Sequence, residues 1–179
     1  MPAKKKASGK YLVSLSEMSQ EIDLETYLGY KPKARDARLF AELAIETIKN
    51  RTLDGQTING GKFKKYSKKY ADFKGVTQNS VDLFLQGDML NSLDYEVVDD
   101  KPKIVIDDDT ETAKGYAHQT GFKGHRVLDG KVPKRPWFGL TDSEAQNIAE
   151  SIKETPTEKK TTLADLRNAL ALLGIEQTE

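Results

Sequence analysis

Lysines and aromatic residues alternate in the segment from Lys62 to Lys74. The rings recur at intervals of three, four and three residues, which would place them on one side of a helix-like segment and the lysines on the other. The rings are Phe63, Tyr66, Tyr70 and Phe73. In a nucleic-acid interface, lysines bind phosphates and rings stack on bases. The candidate DNA-facing residues are Lys62, Lys64, Lys65, Lys68 and Lys69.

The same pattern has a simpler interpretation, which we prefer. The rings can pack into a hydrophobic core while the lysines keep their charged ends in water and lay their stems along its edge. The two interpretations also combine, with buried rings that hold a lysine-rich face toward DNA. The chain has 28 Lys plus Arg and 28 Asp plus Glu, so its formal net charge is zero and any basic surface must be local.

Groups that catalyse reactions or bind metals are few in this sequence. His118 and His125 lack the i, i+4 spacing of a zinc protease, and the three aspartates at 107–109 lack the alternation of a calcium-binding loop. The sequence contains no cysteine, no Gly-x-Ser-x-Gly elbow, no phosphate-binding loop and no dinucleotide fingerprint. We therefore expect no metal site, no cofactor and no enzymatic activity.

Residues 133–140 (Pro-Lys-Arg-Pro-Trp-Phe-Gly-Leu) combine two prolines with the only tryptophan. Each proline fixes its own φ and biases the residue before it away from helix, so this segment should be an extended strap. We expect the strap to drive Trp137 and Phe138 into the core, with direct ligand binding as the alternative. Arg135 could form an ion pair with a neighbouring subunit. Arg135, Trp137 and Phe138 are therefore candidate subunit-interface residues.

Periodicity and capping residues predict the helices. Apolar residues at helical spacing predict a helix over 36–51. Asp108 can start another helix, which Gly121 would end. Thr141 and Glu144 form a capping box ahead of a third helix, whose apolar residues recur at i, i+3, i+4 and i+7.

Two strand pairs are predicted between these helices. Residues 95–98 and 103–107 flank a turn at 99–102, and Asp129-Gly130 suits the type I′ turn of a second hairpin over 127–132. Helices and strands do not alternate as they do in a parallel sheet, so the predicted fold class is α+β.

Three parts are predicted along the 179-residue chain: an N-terminal arm and variable segment at 1–35, an α+β core domain at 36–154, and a linker with an amphipathic helix at 155–179. The final helix has one stripe of leucines, which could fold back on the same domain or pack on another copy. These further interface candidates are Leu163, Leu166, Leu170 and Leu173. No apolar stretch is long enough for a membrane helix or a signal peptide, so we expect a soluble protein made in the cytoplasm.

Five blocks of sequence, taken in order, resemble the phage virion-morphogenesis family. The first two are Ile48-x-x-Arg51-Thr52-x-x-Gly55 and Asn59-Gly60-x-x-Phe63-x-x-Tyr66-Ser67-x-x-Tyr70-Ala71-x-x-Lys74. The third is Val81-Asp82-Leu83 followed by Gly87-Asp88-Met89-Leu90-x-Ser92-Leu93. The last two are Tyr116-Ala117-His118-Gln119-x-Gly121 and Pro133-x-Arg135-Pro136-Trp137-Phe138-Gly139-Leu140. Residues 1–35 and the tail after Thr155 have no counterpart in this resemblance.

The resemblance implies a structural protein of a tailed bacteriophage that acts in head–tail joining or tail completion. It implies an α+β subunit with an antiparallel sheet packed against a long helix, here with a C-terminal helical extension. It also implies a homo-oligomeric ring in the virion, hexameric by analogy, that contacts neck, connector or tail proteins and is assembled in the host bacterial cytoplasm. DNA would pass through such a ring with non-specific contact at most.

Two other functions remain open from the sequence. The first is a non-enzymatic nucleic-acid-binding module that uses the N-terminal arm and residues 62–74. The second is a hydrolase whose site has no recognisable motif.

Overall fold

The main sheet has four antiparallel strands. The computed structural model describes residues 11–14, 17–84, 87–123 and 131–154. With elements numbered in chain order, the strands across the sheet are β1 (Tyr11–Ser14), β2 (Ser19–Ile22), β4 (Lys101–Ile106) and β3 (Leu93–Val98). The sheet and the helices around it confirm the predicted α+β class.

Strands β3 and β4 form a hairpin with one face toward the core. Alternate residues of β4 are buried, Ile104 and Ile106 among them, as the two-residue period of a strand requires. Asp99 and Asp100 connect the strands with φ values of 52° and 59°, which a type I′ turn needs at both positions. The predicted strand pair is confirmed, with a tighter turn than expected because β4 already begins at Lys101.

Helix α2 (Ala34–Leu53) is the longest helix among the described residues and contacts β3 and β4. Its buried face includes Phe40, Leu43, Ala44 and Ile48, which recur at the spacing that predicted the helix. The helix extends two residues beyond each predicted end.

Helix α6 (Asp142–Lys153) packs on α2 and begins at the predicted capping box. The Thr141 side chain accepts a hydrogen bond from the Glu144 amide, and the Glu144 carboxylate accepts one from the Thr141 amide. Both ends of this motif satisfy amide groups that the first helical turn leaves without partners. The residues of α6 that face the core are Ala145, Ile148, Ala149, Ser151 and Ile152.

The core begins earlier than the predicted boundary at residue 36. Met18, just before β2, and Ile22, its last residue, are completely buried, and Leu24 is buried in the short helix α1 (Leu24–Leu28). Strand β2 pairs with β4 inside the main sheet. Residues 18–28 therefore belong to the same hydrophobic core as residues 36–152, and the earlier assignment of 1–35 to an arm is wrong for this part.

The lysine–aromatic segment is helical only in its second half. Helix α3 (Lys68–Lys74) begins after Ser67, whose side chain accepts a hydrogen bond from the Tyr70 amide. Because the helix begins only at Lys68, Phe63 and Tyr66 reach the core from non-helical chain. Phe73, which lies within the helix, is 74% exposed. The prediction of four rings on one helical face is therefore wrong.

The remaining elements lie beside the sheet. Helix α4 (Asp88–Asn91) precedes β3, and α5 (Asp109–Thr120) is capped by Asp108 and ends before Gly121, as predicted. Strand β5 (Phe122–Lys123) pairs with β6 (Lys131–Val132). The Asp129-Gly130 turn, the lysines at 4–6 and the whole segment 155–179 lie outside the described residues. Among the helices that are described, none is both long and apolar enough to cross a membrane.

Candidate functional site

The strap, residues 133–140, crosses the interior of the domain, where neighbouring groups bind its backbone. The Oε1 atom of Gln119 accepts hydrogen bonds from the Trp137 amide at 2.9 Å and the Phe138 amide at 3.1 Å. Because α5 carries Gln119, these bonds fix the strap to that helix. They satisfy two amides that would otherwise be buried without partners, which costs about 1–3 kcal/mol for each group.

Arg51, near the end of α2, binds the next part of the strap. Its Nη2 atom donates to the carbonyls of Trp137 and Gly139, both at 2.7 Å, and its Nη1 atom forms an ion pair with Glu144. The Arg51 side chain is 8% exposed, so these bonds form largely out of water. One guanidinium thus ties together the end of α2, the strap and the start of α6.

Gln20 in β2 completes the binding of the strap. Its carboxamide accepts a hydrogen bond from the Leu140 amide at 2.7 Å and donates one to the Leu140 carbonyl at 3.2 Å. At the other end, the Arg135 amide donates to the His118 carbonyl at 2.7 Å. Secondary structure does not satisfy these backbone groups, so side chains and loops from distant parts of the chain do.

The strap buries the two large rings that the sequence pointed to. Trp137 is fully buried and Phe138 is 2% exposed, with ring centroids 5.7 Å apart at 77°. The indole Nε1 donates to the Gly115 carbonyl at 3.1 Å. Gly115 permits this approach, because an added Cβ would lie 2.9 Å from Ile106 Cδ1 and 3.1 Å from the indole. The predicted burial is confirmed, but rings buried in their own domain cannot also form a subunit interface, so that assignment of Trp137 and Phe138 is wrong.

Arg135 is also buried within its own domain. Its guanidinium lies 5.1 Å from the centre of the Tyr66 ring, and it donates to the carbonyls of Lys64 at 2.9 Å and Lys65 at 3.1 Å. Burial lowers the pKa of Arg135. With 3% of the residue exposed, the expected ion pair to a neighbouring subunit is wrong. Arg135 instead fixes the backbone of the lysine-rich segment to the strap.

Tyr66 is the aromatic centre of a small polar cluster. Its hydroxyl donates to Asp82 at 3.3 Å, and Asp82 forms an ion pair with Lys74. Burial, and next the charge of Asp82, raise the pKa of Tyr66 to about 12, so the phenol stays protonated at neutral pH. This cluster holds α3 against the chain that follows it.

An apolar groove of about 680 Å³ lies beside the strap. The outward face of α5 forms one wall, and Tyr70, Phe122 and Val132 contribute other parts of the lining. Tyr116 and Phe122 are 44% and 45% exposed, although both are large and apolar. This groove is one of the places where the described residues leave aromatic surface uncovered.

His118 lines the groove, and its Nδ1 atom is buried without a hydrogen-bond partner among the described residues. Burial, with a smaller contribution from the Arg135 charge, lowers the pKa of His118 to about 4. The imidazole is therefore neutral at pH 7. Among the described residues that line the groove, the charged ones are Lys114 and Arg135, both cations.

Family models, curated proteins and solved structures give no match to this chain. The described residues also contain no group of three or more His, Asp or Glu side chains placed to hold a metal ion.

The five candidate DNA-facing lysines are all exposed. Lys62 donates to the Asp54 carbonyl at 3.2 Å, and none of the five forms a salt bridge with a described carboxylate. Their ammonium groups are therefore accessible to an external anion. The leucine candidates Leu163, Leu166, Leu170 and Leu173 lie outside the described residues.

Sequence reasoning missed the polar residues that position the strap. Arg51 and Gln119 stand inside blocks of the family resemblance, and that membership is the signal that could have singled them out. Gln20 falls in a segment assigned to the arm, and nothing in its local sequence distinguishes it from a surface glutamine.

Proposed function

We propose that this protein is a structural subunit of a tailed bacteriophage that forms a ring at the head–tail junction or the tail end. One observation carries the proposal: residues from the separate blocks of the family resemblance bind one another. Arg51 of the first block binds Trp137 and Gly139 of the last, and Gln119 of the fourth binds the same strap. Blocks that are distant in sequence thus act as one structural unit.

In this proposal the bound strap has a structural role and no catalytic role. It joins α2, α5, α6 and β2, so the subunit would keep its shape while its outer faces contact neighbours. The proposed architecture is an antiparallel sheet packed against the long helix α2, with a helical extension at 155–179. Head-to-tail contacts close into a ring when the rotation between subunits allows it, and a hexamer is the proposed state.

Electron microscopy of particles made without this protein tests the proposal. Separate heads and tails would support head–tail joining, and overlong tails would support tail completion. Supplying the wild-type protein from a plasmid should restore normal particles, which controls for effects on neighbouring genes. Normal infectious particles in its absence would refute the function.

A non-specific nucleic-acid-binding module is the second candidate, and the exposed lysines at 62–69 favour it. Binding to generic duplex DNA should then weaken as salt rises. A variant with Lys64→Glu and Lys68→Glu should lower the salt dependence by about 0.9 per lost phosphate contact. The matched control is Lys31→Glu with Lys101→Glu, two exposed lysines elsewhere on the surface. Equal behaviour of the two variants would contradict this candidate.

A further inference from the structure

The outward face of α5 contributes small side chains to the groove along its whole length. They are Thr110, Ala113, Ala117 and Thr120, at intervals of three, four and three residues. At a rise of about 1.5 Å per residue, this stripe is about 15 Å long. Small residues along a helix face leave room for a second helix to approach closely, and the exposed rings of Tyr116 and Phe122 also line the groove.

The leucine stripe of the C-terminal segment has the same spacing. Leu163, Leu166, Leu170 and Leu173 also follow intervals of three, four and three residues, so a helix would present them over about 15 Å. An amphipathic helix that binds a groove through such anchors is a common mode of peptide recognition. The stripe and the groove therefore match in length, periodicity and apolar character.

The polar groups at the groove add one observation. The described lining residues include no carboxylate, and residues 162–174 contain one acid, Asp165, and one cation, Arg167, so no net charge opposes docking. The buried Nδ1 of His118 is a polar group at the groove that lacks a partner, which independently indicates a missing polar contact at this place.

The proposed ring favours a neighbouring copy as the source of the segment. A segment donated to the next subunit makes a head-to-tail contact, the type that generates rings.

We infer that the groove between α5, Tyr70 and the β5–β6 pair is the docking site for residues 162–174 of a neighbouring copy. This inference rests on the proposed function, because it supplies the contact that joins subunits in the ring. It also gives the four leucine candidates a specific surface on which to pack.

Cysteine cross-linking tests the inference directly, since the chain contains no native cysteine. Full-length Ala113→Cys is mixed with full-length Leu170→Cys and treated with a short bismaleimide. Ala113 is exposed, so its substitution should leave folding intact. Asn168→Cys is the matched control, because helical spacing would place position 168 opposite the leucine stripe.

A docked segment holds the two thiols at a millimolar effective concentration, so we expect at least about tenfold more cross-linked dimer with Leu170→Cys than with Asn168→Cys. Equal yields from the two mixtures would overturn the inference. A double variant, Ala113→Cys with Leu170→Cys, that cross-links only within single chains would also overturn it, because the segment would then dock in its own domain.

The cross-linking test and the test of the proposed function can fail independently of each other. Particles that contain and require the protein, without the cross-link, would leave the function intact and reject the groove. A strong cross-link together with normal particles made in the absence of the protein would retain the groove and reject the phage function.

Discussion

Replacing Arg51 by methionine removes the guanidinium that binds the strap while keeping a long apolar side chain in its place. Two carbonyls, those of Trp137 and Gly139, lose their 2.7 Å hydrogen bonds, and Glu144 loses its ion-pair partner. The surrounding strap is buried, so water cannot simply replace the lost donors.

The magnitude follows from these three losses. A buried hydrogen bond to a charged group contributes about 1.5–3 kcal/mol, and removing one partner of a buried ion pair costs about 3–5 kcal/mol. The Glu144 side chain is 24% exposed, and the three contacts share one side chain, so the costs do not add fully. We expect the free energy of unfolding to fall by about 3–4 kcal/mol, a large fraction of the 5–15 kcal/mol typical of a domain.

Urea denaturation followed by tryptophan fluorescence measures this change, because the single tryptophan lies in the strap itself. At an m-value of about 1–3 kcal/mol per molar urea, the midpoint should move down by 1 M or more. Glu144→Gln is the control: it removes the charge but keeps a side-chain oxygen that can accept a hydrogen bond from Arg51 or from the Thr141 amide, so we expect a smaller cost of about 1–2 kcal/mol. A loss below about 1 kcal/mol for Arg51→Met would refute the argument that its hydrogen bonds hold the strap.

Three further predictions follow from the same region. Trp137→Ala should lower the free energy of unfolding by about 3–5 kcal/mol, because the ring is fully buried; a change within error in urea denaturation, followed by circular dichroism because the fluorescent residue is removed, would contradict this. Gly115→Ala should cost about 1–3 kcal/mol through contact with the indole, measured in the same way, and an unchanged midpoint would show that Ile106 yields freely. His118 has a folded pKa of about 4 against 6.5 when unfolded, so below pH 6.5 only the unfolded chain takes up the proton. Relative to His118→Asn, wild-type stability should therefore be unaffected by this group above pH 7 and fall by up to about 3 kcal/mol toward pH 4, and parallel pH profiles of the two proteins would refute the shift.

Local sequence rules predicted the ends of several elements. Thr141 and Glu144 specify the start of α6 through hydrogen bonds within four residues, and Gly121 stops α5 at the expected place. The turn at Asp99 and Asp100 likewise depends on backbone conformations that few residue types adopt readily. Such features are predictable because the interacting groups are close neighbours in the chain.

The lysine–aromatic segment shows where periodicity is insufficient. Helical spacing from residue 63 to 73 suggested one continuous face, but the Ser67 cap begins the helix after Tyr66. Phe63 and Tyr66 are buried from the non-helical chain before that cap, whereas Phe73, inside the helix, is exposed. The periodic pattern gave no information about where the helix begins.

The candidate site depended on contacts that no local pattern reveals. Burial of Trp137 was predictable from its size, but whether it lay in its own domain or at an interface was decided by Gln119 and Arg51. Those side chains come from helices that are distant in sequence and meet the strap only in the folded domain. The groove was not predicted, because the spacing of small residues along α5 is also typical of an ordinary surface helix.

The bond between Gln20 and Leu140 also sets an order of events during protein synthesis. These residues are 120 positions apart. At synthesis rates of about 5–20 residues per second, the first waits about 6–24 seconds for its partner to be translated. During that interval Met18 and Ile22 have no complete core to enter, so the nascent chain exposes apolar surface to chaperones and proteases. A messenger truncated before codon 140 should therefore yield fragments that are degraded and do not accumulate as folded protein.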